Sequence, residues 1–416
     1  MSGKYQMDLL ERITFNRYGG TADELRCANI LKEEVERLGG KAEIQDFEVA
    51  AFDMKKATFT VTEPYYLEIE VNGVGRSGST PEEGIEAEFI YAETCDEIAL
   101  RDAKGKIVMV NHTGYEAYKR LVNSGALGFV VFSGAFNDLP ERTDIDKRML
   151  RPNITENGRI PGVCMRCADA IKLVQSGATK VKMTVIQDDV VNTSRNVTAF
   201  IEGSEYPDEI VLLTAHYDST IYGNGAWDNG SGAVNIMELY RYLMANPPKR
   251  SVRFIWCGSE EQGLLGSKAF LAANPEEVKK MRLCLNFDMT GTTLGYGQTF
   301  ITGSAALRQF AEQTAREIGY TGTWHMGVHS SDSAPFAKAG VPGIGIARSG
   351  QAGGHSRWDI LWPLSADNLA KATDFGKALL DKALNAKIFP IDREMPDDMM
   401  EKLETYFLYG KKKEKK

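Results

Sequence analysis

The pattern of apolar and polar positions divides the chain into regions of different character. From Asn196 onward, short apolar runs alternate with amphipathic stretches, as in a sheet whose strands are connected by helices. The strand candidates in this region are NVTAFIEG, IVLLTA, VRFIWC, LCLNF, TFITG and GIGIA. The helix candidates are 232–246, 264–273, 275–281, 304–318, 332–339 and 365–385. The second half of the chain therefore predicts an α/β fold.

The N-terminal region predicts a helix followed by a strand. Thr21 and Glu24 form a capping box, and an apolar stripe at helical spacing continues to Leu38. Gly39 and Gly40 end this helix. The run KAEIQDFEV then alternates as a half-buried strand does.

Residues 63–190 are interpreted as an inserted, mainly β domain. Short strand-like runs such as KIVMV and FVVF are separated there by clusters of Gly, Pro and Asn. Because this region begins after a strand and returns to one, the residues before it are assigned to the same domain as the second half. The predicted organisation is a main domain of 1–62 plus 191–390, the insert 63–190, and a C-terminal helical extension with a basic tail over 391–416.

Composition and charge narrow the class of protein. The chain has 416 residues, 43% of them hydrophobic, and a formal net charge of −8, which disfavours a nucleic-acid surface because phosphate binding needs clustered Lys and Arg. No apolar run reaches the length of a membrane span. The start MSGKYQMDLLER lacks the apolar segment of a signal peptide, so we expect a cytoplasmic protein, or a secreted one if a leader precedes this residue. The six cysteines are scattered, and the CMRC pair Cys164 and Cys167 is interpreted as two ordinary thiols.

Side chains that bind metals recur just past the predicted strands of the main domain. They are His216, Asp218, Asp228, Glu260, Glu261, Asp288 and His355. Active sites of open α/β sheets lie beyond the carboxyl ends of the strands. Zinc binds His nitrogen and carboxylate oxygen, and two metal ions about 3.5–4 Å apart need a carboxylate between them. This set of residues predicts a two-metal hydrolase with a carboxylate general base.

Each of these residues also has an ordinary structural interpretation. Asp228 in GAWDNGSG fits a turn before a helix. Adjacent acids such as Glu260 and Glu261 usually form a solvated pair, although these two follow the buried-looking run VRFIWC. His355 lies in a Gly-rich loop, where a single His is often incidental. The prediction therefore depends on the conjunction of compatible residues at several strand ends of one domain.

The order of the motifs resembles the co-catalytic zinc exopeptidases, namely the bacterial leucyl and aminoacyl aminopeptidases and their relatives glutamate carboxypeptidase and glutaminyl cyclase. The matching segments, within about 211–359, are LLTAHYDS, GAWDNGSGAVNIMEL, FIWCGSEEQGLLGS, NFDMTG, SSDSAPFAKAGVPGIGI and the final His355. The resemblance implies a mixed, largely parallel sheet sandwiched by helices. The segment GKIVMV…SGALGFVVFS similarly resembles the protease-associated domain that many members carry as an insert.

The resemblance also implies roles for individual residues. Asp228 would bridge two Zn²⁺ ions per chain, with Glu261 and His355 completing one ion and His216 and Asp288 the other. Glu260 would be the general base that activates a hydroxide between the metals. Asp218 would support His216, and Asp332 would support the site structurally. The implied reaction is hydrolysis of the N-terminal peptide bond of a peptide substrate.

Three positions depart from the family pattern. Gly354 stands before the final His, where many members have Tyr, and Trp227 stands beside the bridging Asp, where a small or polar residue is usual. The family's oxyanion Tyr has no clear match. His329 is a candidate for its role, and a structural role for His329 is equally compatible with the sequence.

Alternatives to an aminopeptidase remain open at this point. A glutaminyl-cyclase-like aminoacyltransferase uses one zinc and has Trp next to the final His, whereas this chain has Gly354. A glutamate-carboxypeptidase-like carboxypeptidase or dipeptidase needs basic residues for a substrate carboxylate, and Arg348 and Arg357 flank His355. A binding protein on an inactive scaffold would have lost ligands, and none is lost. The oligomeric state is undecided, with a homodimer among the alternatives.

Overall fold

The structure is a computed structural model that describes residues 1–408. The helices are α1 (Gly3–Ile13), α2 (Ala22–Arg37), α3 (Tyr115–Asn123), α4 (Pro152–Thr155), α5 (Cys167–Gln175), α6 (Ser231–Ala245), α7 (Leu265–Ala273), α8 (Pro275–Lys280), α9 (Ala305–Ile318), α10 (Ser333–Lys338), α11 (Ala366–Asn385) and α12 (Asp397–Phe407). The strands are β1 (Ala42–Glu63), β2 (Leu67–Ile69), β3 (Asn72–Gly73), β4 (Ile85–Tyr91), β5 (Ile107–Met109), β6 (Gly128–Ser133), β7 (Gly162–Arg166), β8 (Lys180–Ile201), β9 (Tyr206–His216), β10 (Arg250–Cys257), β11 (Met281–Phe287), β12 (Gly295–Thr302), β13 (Gly322–Met326) and β14 (Gly343–Gly350).

The described chain forms two compact units, Met1–Val49 with Asn192–Phe407 and Ala50–Val191. The sequence placed the first boundary after residue 62, whereas the unit boundary falls inside β1, which continues without interruption to Glu63. The periodicity of KAEIQDFEV predicted the beginning of this strand but not its length. The predicted C-terminal extension begins after residue 390, and its helix α12 belongs to the first unit.

The first unit is built on a mixed, largely parallel sheet, which confirms the predicted α/β class. Its strand order is β13-β12-β14-β11-β9-β10-β8. Strands β10, β9, β11 and β14 are mutually parallel, and β8 and β12 pair antiparallel with their neighbours β10 and β14. The carboxyl ends of the four parallel strands therefore meet along one edge.

Helices cover both faces of this sheet because the central strands are apolar on both sides. In β9, Val211 and Leu213 belong to the larger core, which also takes in side chains of α1, α2, α6, α9 and α11. Ile210 and Leu212 alternate with them and pack with Phe270 of α7 on the opposite face. The seven helices predicted from periodicity are all present, with bounds that differ by at most one residue. Helix α1 was not predicted, because no start signal was recognised before Gly3.

Helix α12 packs against α10 within the first unit. Met399 and Leu403 share a buried cluster with Ala337 of α10. The Tyr406 hydroxyl lies 2.6 Å from that of Ser330. The sequence had left open whether this aromatic helix contacts the body or a second subunit.

The second unit contains the parallel strands β4, β5, β6 and β7, with β8 antiparallel to β4 and β3 antiparallel to β7. Helices α3, α4 and α5 belong to the same unit. Within residues 1–408, no helix is long and apolar enough to cross a membrane.

Glu34 of α2 links α1 to α2 through hydrogen bonds. Its carboxylate accepts hydrogen bonds from the Tyr5 hydroxyl at 2.6 Å, from Arg12 at 3.0 Å and from Arg37. Burial by itself raises the pKa of Glu34, but the hydrogen bonds from Arg37, Tyr5 and Arg12 outweigh it and lower the pKa to about 2. A carboxyl whose pKa is depressed in the folded state stabilises the fold above its unfolded pKa. That stability is lost as the pH falls from about 4.5 towards 2.

We expect Glu34→Gln to reduce the free energy of unfolding by about 2 kcal/mol at pH 7. The difference from wild type should shrink as the pH approaches 2, because wild-type Glu34 is then protonated too. Urea unfolding at pH 7 and pH 3 measures both values. Glu36→Gln is the matched control, since Glu36 lies on the same helix with its side chain 48% exposed. An equal loss at both pH values would show that the ionised carboxylate is not the source of the stability.

Candidate metal centre

The predicted metal-type residues follow the carboxyl ends of the parallel strands. His216 is the last residue of β9, Asp288 directly follows β11, and Glu260 and Glu261 lie three and four residues after β10. His355 follows β14 by five residues. Asp228 lies on the turn Ala226–Gly230, immediately before α6. The shared direction of the strands thus gathers side chains that are up to 139 residues apart.

These side chains form two groups that share one carboxylate. His216, Asp228 and Asp288 offer ligand atoms within 4.8 Å of one another, and so do Asp228, Glu261 and His355. His216 Nε2 lies 3.2 Å from Asp228 Oδ1 and 3.5 Å from Asp288 Oδ1. His355 Nε2 lies 3.0 Å from Asp228 Oδ2 and 3.4 Å from Glu261 Oε2. Each oxygen of Asp228 therefore faces a different group.

The chemistry of these donors fits divalent cations. Imidazole nitrogen and carboxylate oxygen are the donors that zinc takes in catalytic sites. Glu261 Oε1 and Asp288 Oδ1 are buried and accept no hydrogen bond within residues 1–408. Buried charged oxygens without partners are costly, and a bound cation would remove that cost. Two ions sharing Asp228 fit the described residues.

Crowding of buried acids shifts the pKa values at this site. Burial and neighbouring carboxylates raise the pKa of Glu260 well above its usual value, and burial with Asp228 raises that of Glu261 to about 8. Burial disfavours the charged form of His216, but Glu260 and the surrounding aspartates raise its pKa well above the ordinary value. The hydrogen bond with Asp228 raises the pKa of His355 to about 9. The crowded carboxyl groups are thus costly in their charged form, and a bound cation would remove that cost.

Glu260 lies beside the two groups without belonging to either. Its Oε2 is 3.9 Å from His216 Nε2, and its side chain is 12% exposed. It is therefore close enough to act on a reacting group held at the metals. Its role as general base stays a prediction.

Asp218 joins the ends of β9 and β10. Its Oδ1 lies 3.4 Å from His216 Nδ1, a long contact, and accepts a hydrogen bond from the backbone N–H of Glu260 at 3.0 Å. Its Oδ2 accepts the N–H of Glu261 at 3.3 Å. A carboxylate behind a histidine ligand fixes the ring and its tautomer. Asp218 is placed to orient His216 and the two glutamates together.

Backbone strain accompanies the candidate residues. His355 has φ +59°, Ser259 before Glu260 has φ +52°, and Met289 after Asp288 has φ +56°. Left-handed conformations are unfavourable for residues with a Cβ atom and are concentrated at functional sites. Three of the seven such residues in the described chain thus lie at or beside candidate ligands.

Sequence patterns did not reveal the residues that hold these side chains in place. Asp359 is buried and accepts the backbone N–H of Trp227 at 2.7 Å and of Asp228 at 3.0 Å. Asn229 donates to the Phe287 carbonyl at the end of β11. The Ser331 hydroxyl donates to Asp288 Oδ2 at 2.5 Å. In the sequence these residues are only polar positions near the motifs, and that does not show which groups they contact.

Replacement of Asp359 by asparagine should weaken zinc binding by about 10- to 100-fold. The amide has one acceptor oxygen, so its NH₂ group would oppose one of the two N–H donors of the turn that carries Asp228. Competition with a chromogenic chelator measures the zinc affinity, and circular dichroism confirms folding. Asp381→Asn is a matched control remote in sequence from the ligands. Unchanged zinc affinity in folded Asp359→Asn would refute this role.

Trp227 and Gly354 complement each other. The half-buried ring of Trp227 lies over Gly354, where an added Cβ would come within 3.3 Å of Trp227 Cε3. The ring therefore occupies space that a side chain at 354 would need. The two departures from the family pattern are linked by this contact, which the sequence could not show.

His329 and Asp332 lie on the loop after β13. The His329 ring stacks on Phe300 with centroids 3.8 Å apart, and burial lowers the pKa of His329. Asp332 is fully buried, which raises its pKa to about 6. The oxyanion role of His329 and the supporting role of Asp332 stay predictions. Cys164 and Cys167, also noted in the sequence, lie in the other unit and belong to neither group.

Comparison with known proteins shows which family the second half of the chain resembles. The model of peptidase family M28 matches residues 196–379. Aminopeptidase YwaD of Bacillus subtilis is 29% identical over 347 residues, covering 78% of this chain and 70% of that protein. Human carboxypeptidase Q is 27% identical over 356 residues, covering 79% and 73%.

A solved structure shares the fold. BSAP, a zinc aminopeptidase from Bacillus subtilis, superposes with a TM-score of 0.79 at 23% identity, covering 96% of this chain and 98% of that one. At this identity, the likeness shows the fold. The match to peptidase family M28 thus covers residues 196–379, which include every candidate ligand.

Proposed function

We propose that this protein is a zinc aminopeptidase that removes N-terminal residues from peptides with two zinc ions per chain. The observation that carries the proposal is the shared carboxylate, since each oxygen of Asp228 faces a separate group of ligands. The match of residues 196–379 to family M28 and the similarity to an aminopeptidase support the same reaction.

In this proposal, His216 and Asp288 would hold one ion, Glu261 and His355 the other, and Asp228 both. When bound, two zinc ions acidify water and polarise a carbonyl group. Glu260 takes a proton from the attacking water and delivers it to the leaving amine. Asp218 keeps His216 oriented. We assign the hydrogen bond to the oxyanion to His329, whose neutral ring, favoured by burial, still carries one N–H donor.

The charge of the site favours the amino end of a substrate. Asp218, Asp228, Glu260, Glu261 and Asp288 outnumber the positive charges that two divalent ions would bring. Excess negative charge attracts an α-ammonium group and repels an α-carboxylate. Arg348 already donates to the carbonyls of Thr292 at 2.7 Å and Gly295 at 2.8 Å, which makes it less available to a substrate carboxylate. A carboxypeptidase is thereby disfavoured.

We further propose that residues 63–190, within the unit Ala50–Val191, form the protease-associated-type insert and that 391–408 is a helical extension of the catalytic domain, whose basic tail lies outside the described residues. The strand–helix–strand succession β5, α3, β6 corresponds to the segment GKIVMV…SGALGFVVFS.

A substrate panel tests the proposed reaction. Aminoacyl p-nitroanilides with a free α-amino group should be cleaved, and their N-acetyl counterparts should react about 100-fold more slowly or worse. Chelation should abolish cleavage, and added zinc should restore it. Faster release of C-terminal residues from N-acylated peptides would instead indicate a carboxypeptidase. Cyclisation of N-terminal glutamine with one zinc per chain would indicate an aminoacyltransferase.

A further inference from the structure

The loop between Asp218 and Asp228 is held by two residues about 200 positions earlier in the chain. Asn16 Nδ2 contacts three carbonyl oxygens of this loop, at 3.0 Å to Thr220, 2.8 Å to Ile221 and 3.1 Å to Gly223. Arg17 Nη2 donates to the Gly225 carbonyl at 2.6 Å. Other Arg17 nitrogens donate to the carbonyls of Tyr217 and Asn224. The two side chains thus engage six carbonyls between positions 217 and 225.

Arg17 is fully buried, and residues 1–408 include no carboxylate in a salt bridge with it. A guanidinium taken out of water needs acceptors for its donors, and here four backbone carbonyls accept from it, those of Phe15, Tyr217, Asn224 and Gly225. Its backbone N–H also donates to the Ser219 hydroxyl at 3.0 Å. The hydrogen bonds of this buried charge to backbone carbonyls restrict the loop to one conformation, because other conformations would leave guanidinium N–H donors without acceptors.

The glycines around Asp228 make room for this guanidinium. A Cβ on Gly225 would lie 2.9 Å from Arg17 Nη2, and one on Gly230 would lie 3.2 Å from it. Gly225 also has φ +61°, and its carbonyl accepts the N–H of Gly230 at 2.8 Å together with Arg17. The segment GAWDNG therefore closes around Arg17, with Asp228 between the two glycines.

We infer that Asn16 and Arg17 are positioning residues of the metal centre, which set the loop 217–230 so that Asp228 faces both ligand groups. The inference rests on the proposed function, because it assigns these residues a role in zinc binding. Within residues 1–408, no hydrogen bond or ion pair joins Asn16 or Arg17 to a candidate ligand side chain, so they act through the backbone of the loop.

The experiment compares two buried arginines. Arg250 is also buried and donates to the carbonyls of Ala383, Leu384 and Ala386 at the end of α11. It lies at the amino end of β10, at the opposite edge of the sheet from the candidate ligands. Arg17→Met and Arg250→Met should both lower the melting temperature. Only Arg17→Met should weaken zinc affinity, by about 10- to 100-fold, and alter the visible spectrum of the cobalt-substituted protein.

If Arg17→Met does not fold, the zinc affinity of Asn16→Ala tests the inference. It removes three loop contacts and leaves the buried charge in place, so zinc affinity should fall by about 10-fold. Asn246→Ala, which removes a side-chain hydrogen bond to the Tyr242 carbonyl, is its control and should bind zinc as wild type does. Folded Asn16 or Arg17 variants with wild-type affinity, or an equal loss in Arg250→Met, would overturn the inference. A wild-type protein that binds no zinc would instead overturn the proposed function itself.

Discussion

Asp228→Asn is expected to empty both metal positions. Asp228 Oδ1 lies 3.2 Å from His216 Nε2 and Oδ2 lies 3.0 Å from His355 Nε2, so the replacement removes a ligand oxygen from one group and the negative charge from both. Bound zinc should fall from about two ions per chain to fewer than one, with a loss of activity of about 10³-fold or more. Metal analysis after dialysis and rates on a cleaved aminoacyl substrate measure these effects.

The control for this variant is Asp381→Asn, which removes an equal charge from α11. Asp381 accepts hydrogen bonds from Tyr242 and Lys377 and should retain full metal content when changed. A folded Asp228→Asn protein that still carries two zinc ions would contradict the bridging role.

Glu260→Gln is expected to keep both metals and lose turnover. Glu260 belongs to neither ligand group. Its Oε2 lies 3.9 Å from His216 Nε2. The amide preserves size but cannot accept the proton. General acid–base catalysis contributes about 10²- to 10⁴-fold, so kcat should fall by that factor while zinc content stays unchanged.

A matched control comes from a second buried glutamate. Glu238 on α6 is fully buried and pairs with Arg241 at 2.6 Å. Glu238→Gln should lower stability and leave kcat near that of wild type. A metal-free Glu260→Gln protein would mean that Glu260 is a ligand, and near-normal turnover would mean that another group takes the proton.

Much of the first unit could be predicted from sequence because its signals are local. Buried parallel strands read as continuous apolar runs, and VRFIWC and LCLNF correspond to β10 and β11. Residues after such runs must meet at one edge of the sheet, which is why His216 and Asp288 could be grouped before their separation was known. The N-cap of α2 was predicted too, since the Thr21 side chain accepts the N–H of Glu24.

The sequence could not reveal contacts between distant segments. The Glu24 carboxylate was expected to complete a capping box at Thr21, but it accepts from the N–H of Gly20 and the hydroxyl of Ser194 instead. Asp359 and Arg17 have no local pattern that distinguishes them from other polar residues. Apart from the bond of Arg17 to the Phe15 carbonyl, the backbone partners named here lie more than 100 residues away. Such contacts depend on the tertiary fold, which periodicity does not encode.

Diffraction at the zinc absorption edge would test the shared-carboxylate centre most directly. Crystals of the wild-type protein grown with zinc should show two anomalous peaks about 3.5–4 Å apart, one on each side of Asp228. One peak should contact His216 and Asp288, and the other Glu261 and His355. A single peak, or two peaks that do not share Asp228, would contradict the two-metal account.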